Sequence, residues 1–473
     1  MYAAEIARLL ADRGETVHVI GQLWEKATPR TERQFGGRLN IHRVPYEDGA
    51  SLFPRRPHPA MTAAKAKQLF ASDYPPQCFA WQAGLLAEKL VETEGIDVIE
   101  AQEFEAPLYY FQLRRAQGLG PDRRPPCLVH FHSPTAFITH SNGWDGSRPE
   151  VLKAADFERH SIAAADALLC PSRFLARQTE DYYSYESGTV KVIPYPMGAS
   201  HHTPQRAHRW EKGTICFVGR LEPRKGVFEW VAAARRVAAD FPQARFEFVG
   251  ADTLHRGISV RSMLESQIPR TLRSRFRFRD ARPRGSLSRF RAKARIAVVP
   301  SRWDNYPFAC MEAMASGIPV IATCQGGMAE MIEDGKTGWL AESPSSDDLA
   351  AALRRALETN ATRTAEMGYA AAKSVRRTCD NDAVVAAHLD FRRQVAKNGT
   401  TKSAQMPTDL QASEAGADVL SRFAPPTWAT AEEDRPDENF GWCRAKVMLR
   451  YPRATSRQIC ARMKNKLLRR IRN

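Results

Sequence analysis

Apolar positions along this chain recur with two periods, close to 3.6 and close to 2. Ala3, Ile6, Ala7, Leu9 and Leu10 fall at helical spacing, Gly14 closes that helix, and residues 16–20 read as a strand. Leu39–Val44 predicts a second strand, 81–91 an amphipathic helix and 97–101 a further strand. Residues 127–132 alternate into another strand, 155–165 read as a helix and 167–170 as a strand. Pro171-Ser172-Arg173 then opens a helix, and 190–193 close the half. Thr214–Val218 is apolar enough to be buried on both faces, and the helix after Gly226 turns Phe228, Val231, Ala234, Val237 and Ala238 toward a core. Residues 245–249 give another strand. The run 296–299 is stopped by Pro300 and followed, after a polar loop, by a helix over Phe308–Ala315 ending at Gly317. Residues 347–358, 361–375 and 380–395 read as helices. Strands alternating with helices predict an α/β chain with parallel sheets.

Composition narrows this picture. At 473 residues the chain is too long for one core, so two domains and an appendage are expected. No run of about 20 apolar residues occurs, so no spanning helix is predicted. The formal charge of +16 points to polyanions or an acidic membrane surface. Nine scattered cysteines, none in a Cys-x-x-Cys pair, suit buried thiols in a reducing compartment and argue against zinc. Glu5, Arg8, Asp12 and Arg13 interrupt any apolar leader.

Two segments carry candidate chemistry. Strand 214–218 feeds Gly219-Arg220-Leu221-Glu222-Pro223-Arg224-Lys225-Gly226, a loop with glycines and cations at both ends that suits a diphosphate. Arg220 can fork across two phosphate oxygens while Lys225 acts as a point charge; a solvated basic turn is the plain alternative. About eighty residues on, the loop after 296–299 carries Asp304 and the following helix carries Glu312. Pro307 suits that helix start, whose free N–H groups favour an anion. In an open parallel sheet such loops lie where ligands bind.

The segment 296–323, with Asp304 and Glu312 separated by seven residues, resembles the signature of the retaining family 4 glycosyltransferases of GT-B architecture. The resemblance implies two Rossmann-like domains facing a central cleft: an acceptor-side domain over 1–195 and a nucleotide-sugar domain over 196–378. A helix over 379–396 crosses back, and a low-order basic tail follows over 397–473. It implies that Asp304, standing where the family more often has Glu, meets hydroxyls of the transferred sugar, and that Glu312 meets the ribose. Gly219, Arg220, Lys225, Asn305, Pro307 and Phe308 join the donor site, with Arg220 and Lys225 neutralising the departing diphosphate so that no metal or other cofactor is needed. The resemblance extends to the turn Gln325-Gly326-Gly327-Met328 and implies that the amides of Gly326 and Gly327 approach the donor sugar.

In the first half, strand parity puts His130 and His132 on one face, and the residues alone leave open which reaches a ligand. The resemblance gives the place beside the donor sugar to His132 and leaves His130 to structure. Glu103 and Ser133, at strand ends, are acceptor-side candidates, with a solvated carboxylate as the alternative for Glu103. In the resembled family a strand and a glycine-rich turn precede the first helix, and neither stands before it in this sequence: either the true start lies upstream, or the loss is real and the first sheet lacks an interior strand. Residues 45–77, rich in proline and arginine, are either a cover over the cleft or a surface excursion. His201-His202 invites a metal, but adjacent histidines in a turn seldom face one ion.

Arg275-Phe276-Arg277-Phe278-Arg279 alternates as a half-exposed strand with arginines outward; stacking on single-stranded nucleic acid is the alternative. From Arg444 to Asn473 there is no acidic residue, so the tail suits anionic lipid, nucleic acid or plain solvent. The resemblance implies a cytoplasmic glycosyltransferase of the hexosyltransferase type, with a peripheral place at the inner membrane face if the basic tail meets anionic lipid. It moves a sugar from a nucleoside-diphosphate donor to a glycan or lipid-linked hydroxyl acceptor in cell-envelope glycan synthesis. A donor-binding protein without turnover and a basic nucleic-acid-binding protein are the competing readings.

Overall fold

The computed structural model describes residues 2–23, 30–44, 75–198 and 209–400. The proline-rich excursion before residue 75, the His201-His202 pair and the basic tail beyond residue 400 lie outside the described residues.

The described residues of the first half form two sheets. One holds β1 (Val17–Gln22), β2 (Thr31–Gln34) and β3 (Leu39–Val44), ordered β1-β3-β2, with β1 parallel and β2 antiparallel to β3. The other is the parallel run of β4 (Ile99–Gln102), β5 (Cys127–His130), β6 (Ala167–Cys170) and β7 (Val190–Val192). Among the described residues β1 and β4 are not paired, and β1 is half-buried along its whole length. Ile20 of β1 and Ile99 of β4 both pack, partly buried, against the apolar cluster of Val129, Phe131 and Leu168, whereas Val17, Val19 and Ile41 of the first sheet pack on a separate cluster of Ala7, Ala11 and Leu39.

The second half is a six-stranded parallel sheet. Its strands are β8 (Thr214–Val218), β9 (Phe246–Val249), β12 (Phe276–Arg279), β13 (Ala294–Val299), β14 (Val320–Thr323) and β15 (Gly338–Ala341); β10 (Leu254–His255) and β11 (Ile258–Ser259) form a small separate hairpin. The order β12-β9-β8-β13-β14-β15 reverses direction between β8 and β13. The loops leaving these two strands therefore part at the switch point, which opens the crevice where open α/β sheets bind ligands. Period-two alternation is realised at β12, whose Phe276 and Phe278 stack on Phe246 and Phe248 of β9, at 4.8 and 4.5 Å, while Arg277 faces solvent.

The helix Val227–Asp240 buries Val231, Ala234, Val237 and Ala238 in the core, as spacing requires, whereas Phe228 only lies partly buried at its margin. The last described helix, Asn381–Asn398, packs Val384 and Val395 against Leu128 of β5 and Leu169 of β6, tying the end of the second half to the first. Cys127, Cys170 and Cys216 are buried free thiols, as their apolar neighbours indicate. Among the described residues no helix is long and apolar enough to cross a membrane.

Candidate active site

The two candidate segments meet at the carboxyl ends of β8 and β13. Gly226, with φ +66°, turns the β8 loop so tightly that a Cβ there would stand 1.8 Å from the Pro300 carbonyl oxygen. This close approach, open only to glycine, brings the Lys225 ammonium to 2.5 Å from the Asp304 carboxylate. Arg224 stands 3.7 Å from Asp304, donates to the Trp303 carbonyl at 3.3 Å and pairs with Glu222 at 3.0 Å. Burial pushes the Asp304 carboxyl up, but the adjacent Lys225 and Arg224 outweigh it and hold it below the ordinary value. The acid is therefore ionised and already neutralised.

Gly326 and Gly327 pack directly on this loop. A Cβ at Gly326 would lie 2.0 Å from the Asp304 carbonyl oxygen, and one at Gly327 would lie 1.7 Å from that of Asn305. The Gly327 amide donates to the Asp304 carbonyl at 3.0 Å, so this amide is engaged within the protein. Gly219 closes β8 by donating to Val249 at 3.0 Å, and Gly250 approaches it so closely that a Cβ would fall 1.7 Å from its carbonyl oxygen.

Arg220 is not gathered into this cluster. Its side chain is exposed and, among the described residues, pairs with Glu222 at 3.2 Å; the buried guanidinium of the loop is that of Arg224. Both arginines were visible in the sequence, but a loop without regular period gives no parity by which to choose between them.

Glu312 lies on the helix Phe308–Ala315, buried, and both its carboxylate oxygens are occupied: one accepts from Arg284 Nε at 2.6 Å and the other from Arg291 Nη1 at 2.7 Å. Pro307 precedes this helix in extended conformation. The Phe308 ring stacks on Tyr195 at 5.0 Å, with the Arg284 guanidinium 5.7 Å from its centre.

From the first half, β5 delivers His132. Its imidazole lies beside the rings of His130, Tyr2 and Tyr195, and its Nδ1 is bonded to the Tyr195 hydroxyl. Burial, with His130 beside it, holds this imidazole well below the ordinary histidine value, so it is neutral. His130 is buried against Glu100 at 3.1 Å, in a network that also includes Tyr2 and Arg392.

Glu103 is not presented to the cleft. Its side chain is fully buried, and its oxygens accept from the amides of His132 (2.9 and 2.8 Å) and Ser133 (2.5 Å), so it shapes the turn after β5 and is no acceptor ligand. Ser133 is half-buried, with its amide on Glu103. Burial raises the Glu103 carboxyl to about 7 and that of Glu158, which accepts from the Thr135 amide and hydroxyl, to about 8.

Asn305 crosses between the halves, accepting from the Ser172 hydroxyl at 2.7 Å and donating to the His132 carbonyl at 3.2 Å. Glu330 crosses too, accepting from the amides of Arg173 (3.1 Å) and Phe174 (2.5 Å) in the first turn of the helix Arg173–Tyr183. Neither bridge has a local sequence signal, because each depends on a partner in the other half.

Residues 1–196 match the Glycosyl transferase 4-like domain and residues 201–374 the family Glycosyl transferases group 1. The chain belongs to the family 4 glycosyltransferases. It is 27% identical over 411 residues to the D-inositol 3-phosphate glycosyltransferase of Geodermatophilus obscurus, covering 84% of this chain and 85% of that one. It is also 27% identical over 388 residues to the enzyme of the same name from Kribbella flavida, covering 78% and 84%. Among solved structures it is similar to sucrose-phosphate synthase from Thermosynechococcus elongatus (TM-score 0.64, 19% identity, 84% of this chain and 93% of that one). It is likewise similar to Anabaena HepE in complex with UDP and glucose (TM-score 0.58, 18% identity, 83% and 95%). The fold of this glycosyltransferase is thus GT-B.

Proposed function

We propose that this glycosyltransferase moves a sugar from a nucleoside-diphosphate donor to a hydroxyl acceptor, with retention of anomeric configuration and without a metal ion. The observation that carries the reading is the Lys225–Asp304 pair, backed by Arg224, at the switch point of the second sheet. Cleavage breaks the bond between the anomeric carbon and the phosphate oxygen and leaves negative charge on the diphosphate. Fixed cations at that place stabilise the transition state more than the ground state. Lys225 and Arg224 supply that charge in this reading, in place of a metal, and Asp304 accepts from the sugar hydroxyls. Arg220, being exposed, is left a minor part.

The acceptor hydroxyl attacks from the face the diphosphate leaves and passes its proton to the departing phosphate oxygen. His132, neutral and hydrogen-bonded to Tyr195, orients the sugar or the acceptor. The bridges made by Asn305 and Glu330 bring the halves together, and closure of this kind excludes water and favours transfer over hydrolysis. A tail beyond residue 400 rich in arginine and lysine is suited to an anionic membrane surface, where a lipid-linked acceptor would reside.

The test is a panel of UDP-, GDP- and ADP-sugars offered to the purified protein with and without chelator. Acceptors begin with inositol 3-phosphate, after which the relatives from Geodermatophilus and Kribbella are named. Release of nucleoside diphosphate that persists in chelator and is lost in Lys225→Ala supports the reading, and proton NMR of the product reads the anomeric configuration. Turnover that needs added metal, or that survives Lys225→Ala, overturns it.

A further inference from the structure

We propose that Arg284 is a displaceable lock on Glu312, held across the cleft by Glu5, which the donor nucleotide must move aside to bind; this rests on the reading that Glu312 takes the ribose. Glu312 is held by two guanidinium groups that differ in kind. Arg291 is buried, with 3% of its side chain accessible, and the geometry it gives the carboxylate is fixed. Arg284 is the first residue of its helix, retains 23% side-chain accessibility and has a second anchor, Glu5 at 3.0 Å. Glu5 belongs to the first helix of the chain, in the other half, so the array Glu5–Arg284–Glu312 ties the two halves together beside the Phe308 ring.

A ribose hydroxyl donating to Glu312 needs a free oxygen. Releasing Arg291 would strip a buried carboxylate of its buried partner, at the large cost of an uncompensated charge. Releasing Arg284 frees the other oxygen while Arg291 keeps the charge neutralised, and the freed guanidinium retains Glu5 and solvent. The asymmetry singles out Arg284 as the group that yields and Arg291 as a positioning residue for the carboxylate. A site locked for most of the time binds its ligand more weakly in proportion to the unlocked fraction. Removing the lock therefore strengthens binding, whereas removing a ligand contact weakens it.

The experiment is calorimetric titration of the full chain with UDP, GDP and ADP, in wild type, Arg284→Ala, Glu5→Gln and Glu312→Ala. Arg284→Ala leaves Glu312 paired with Arg291, so it strands no buried charge and is expected to fold. The lock predicts at least threefold tighter nucleotide binding in Arg284→Ala, a change of the same sign in Glu5→Gln, and loss of binding in Glu312→Ala. Binding that appears only in Arg284→Ala also supports it. Weaker or unchanged binding in Arg284→Ala, with binding lost in Glu312→Ala, overturns the lock alone. Nucleotide bound equally by wild type and Glu312→Ala, or bound by none of the four proteins, overturns the ribose reading and the lock with it.

Discussion

The Ser172 hydroxyl donates to the Asn305 side-chain oxygen at 2.7 Å although the two residues are 133 positions apart in the chain. The same Ser172 oxygen accepts from the Leu175 amide as the N-cap of the helix Arg173–Tyr183. One buried hydroxyl thus both starts a helix in the first half and holds the loop that follows β13 in the second. Asn305→Ala leaves the cap in place but takes away the acceptor, at a cost of about 1–3 kcal/mol for the buried hydroxyl. The expected result is a lowered urea midpoint, a larger radius of gyration by small-angle scattering, and a fall in turnover exceeding the loss of stability. A variant as compact and as active as wild type would show that the bridge does not govern closure.

Glu330 offers a second handle on the same closure. Its carboxylate accepts two amides at the start of a helix, where negative charge is favoured by the helix dipole. In Glu330→Gln one of the two amides meets an NH2 group and the charge is lost, so the halves are held less firmly. We expect a higher ratio of donor hydrolysis to transfer, measured as free sugar against product, with little change in the melting temperature. Glu330→Asp should restore part of the transfer.

Lys225 and Arg220 separate two roles that the loop sequence runs together. Lys225→Ala removes the ammonium 2.5 Å from Asp304 and is expected to reduce turnover by about a hundredfold or more, the scale of losing a preorganised electrostatic group. Arg220→Ala removes an exposed guanidinium paired with Glu222, worth at most about 1 kcal/mol, and is expected to change turnover less than fivefold. Steady-state rates of nucleoside diphosphate release check both. Equal losses in the two variants would mean that Arg220 swings inward when donor binds.

Glu103 and Glu158 make stability depend on pH in a direction opposite to that of a salt-bridged acid. Burial raises their carboxyls from 4.5 to about 7 and about 8, so between about pH 4.5 and 8 the unfolded chain has released protons that the folded chain retains. The folded state binds more protons in that window, and stability falls as pH rises through it, by at most about 1.4 kcal/mol per pH unit for each group. Urea midpoints across this range should therefore decline toward neutrality, and Glu158→Gln, though less stable, should show a flatter decline. An unchanged slope in that variant would assign the pH dependence to other groups.

The regular elements were legible because periodicity is local. Leu39–Val44, Ala167–Cys170, Thr214–Val218 and Phe308–Ala315 have the same limits in the structure as in the pattern, since alternation and helical spacing depend only on neighbours a few residues away. Gly226, Gly326 and Gly327 could likewise be noticed in the sequence, though only the packing shows that each lets one backbone lie against another.

By itself, then, the order of residues determined an α/β chain of two halves and pointed to Lys225, Asp304 and Glu312 as the groups to watch, with the resemblance choosing His132 over His130. Only the tertiary structure decided how each is held: Lys225 on Asp304, Glu312 between Arg284 and Arg291, His132 on Tyr195, and Glu103 withdrawn beneath the turn after β5. It also decided that Arg224, not Arg220, is the buried guanidinium of the β8 loop. The physical reason is that a charge takes whichever opposite charge the fold brings within reach. That choice is made by segments as far apart as Glu5 and Arg284, which no local pattern can pair.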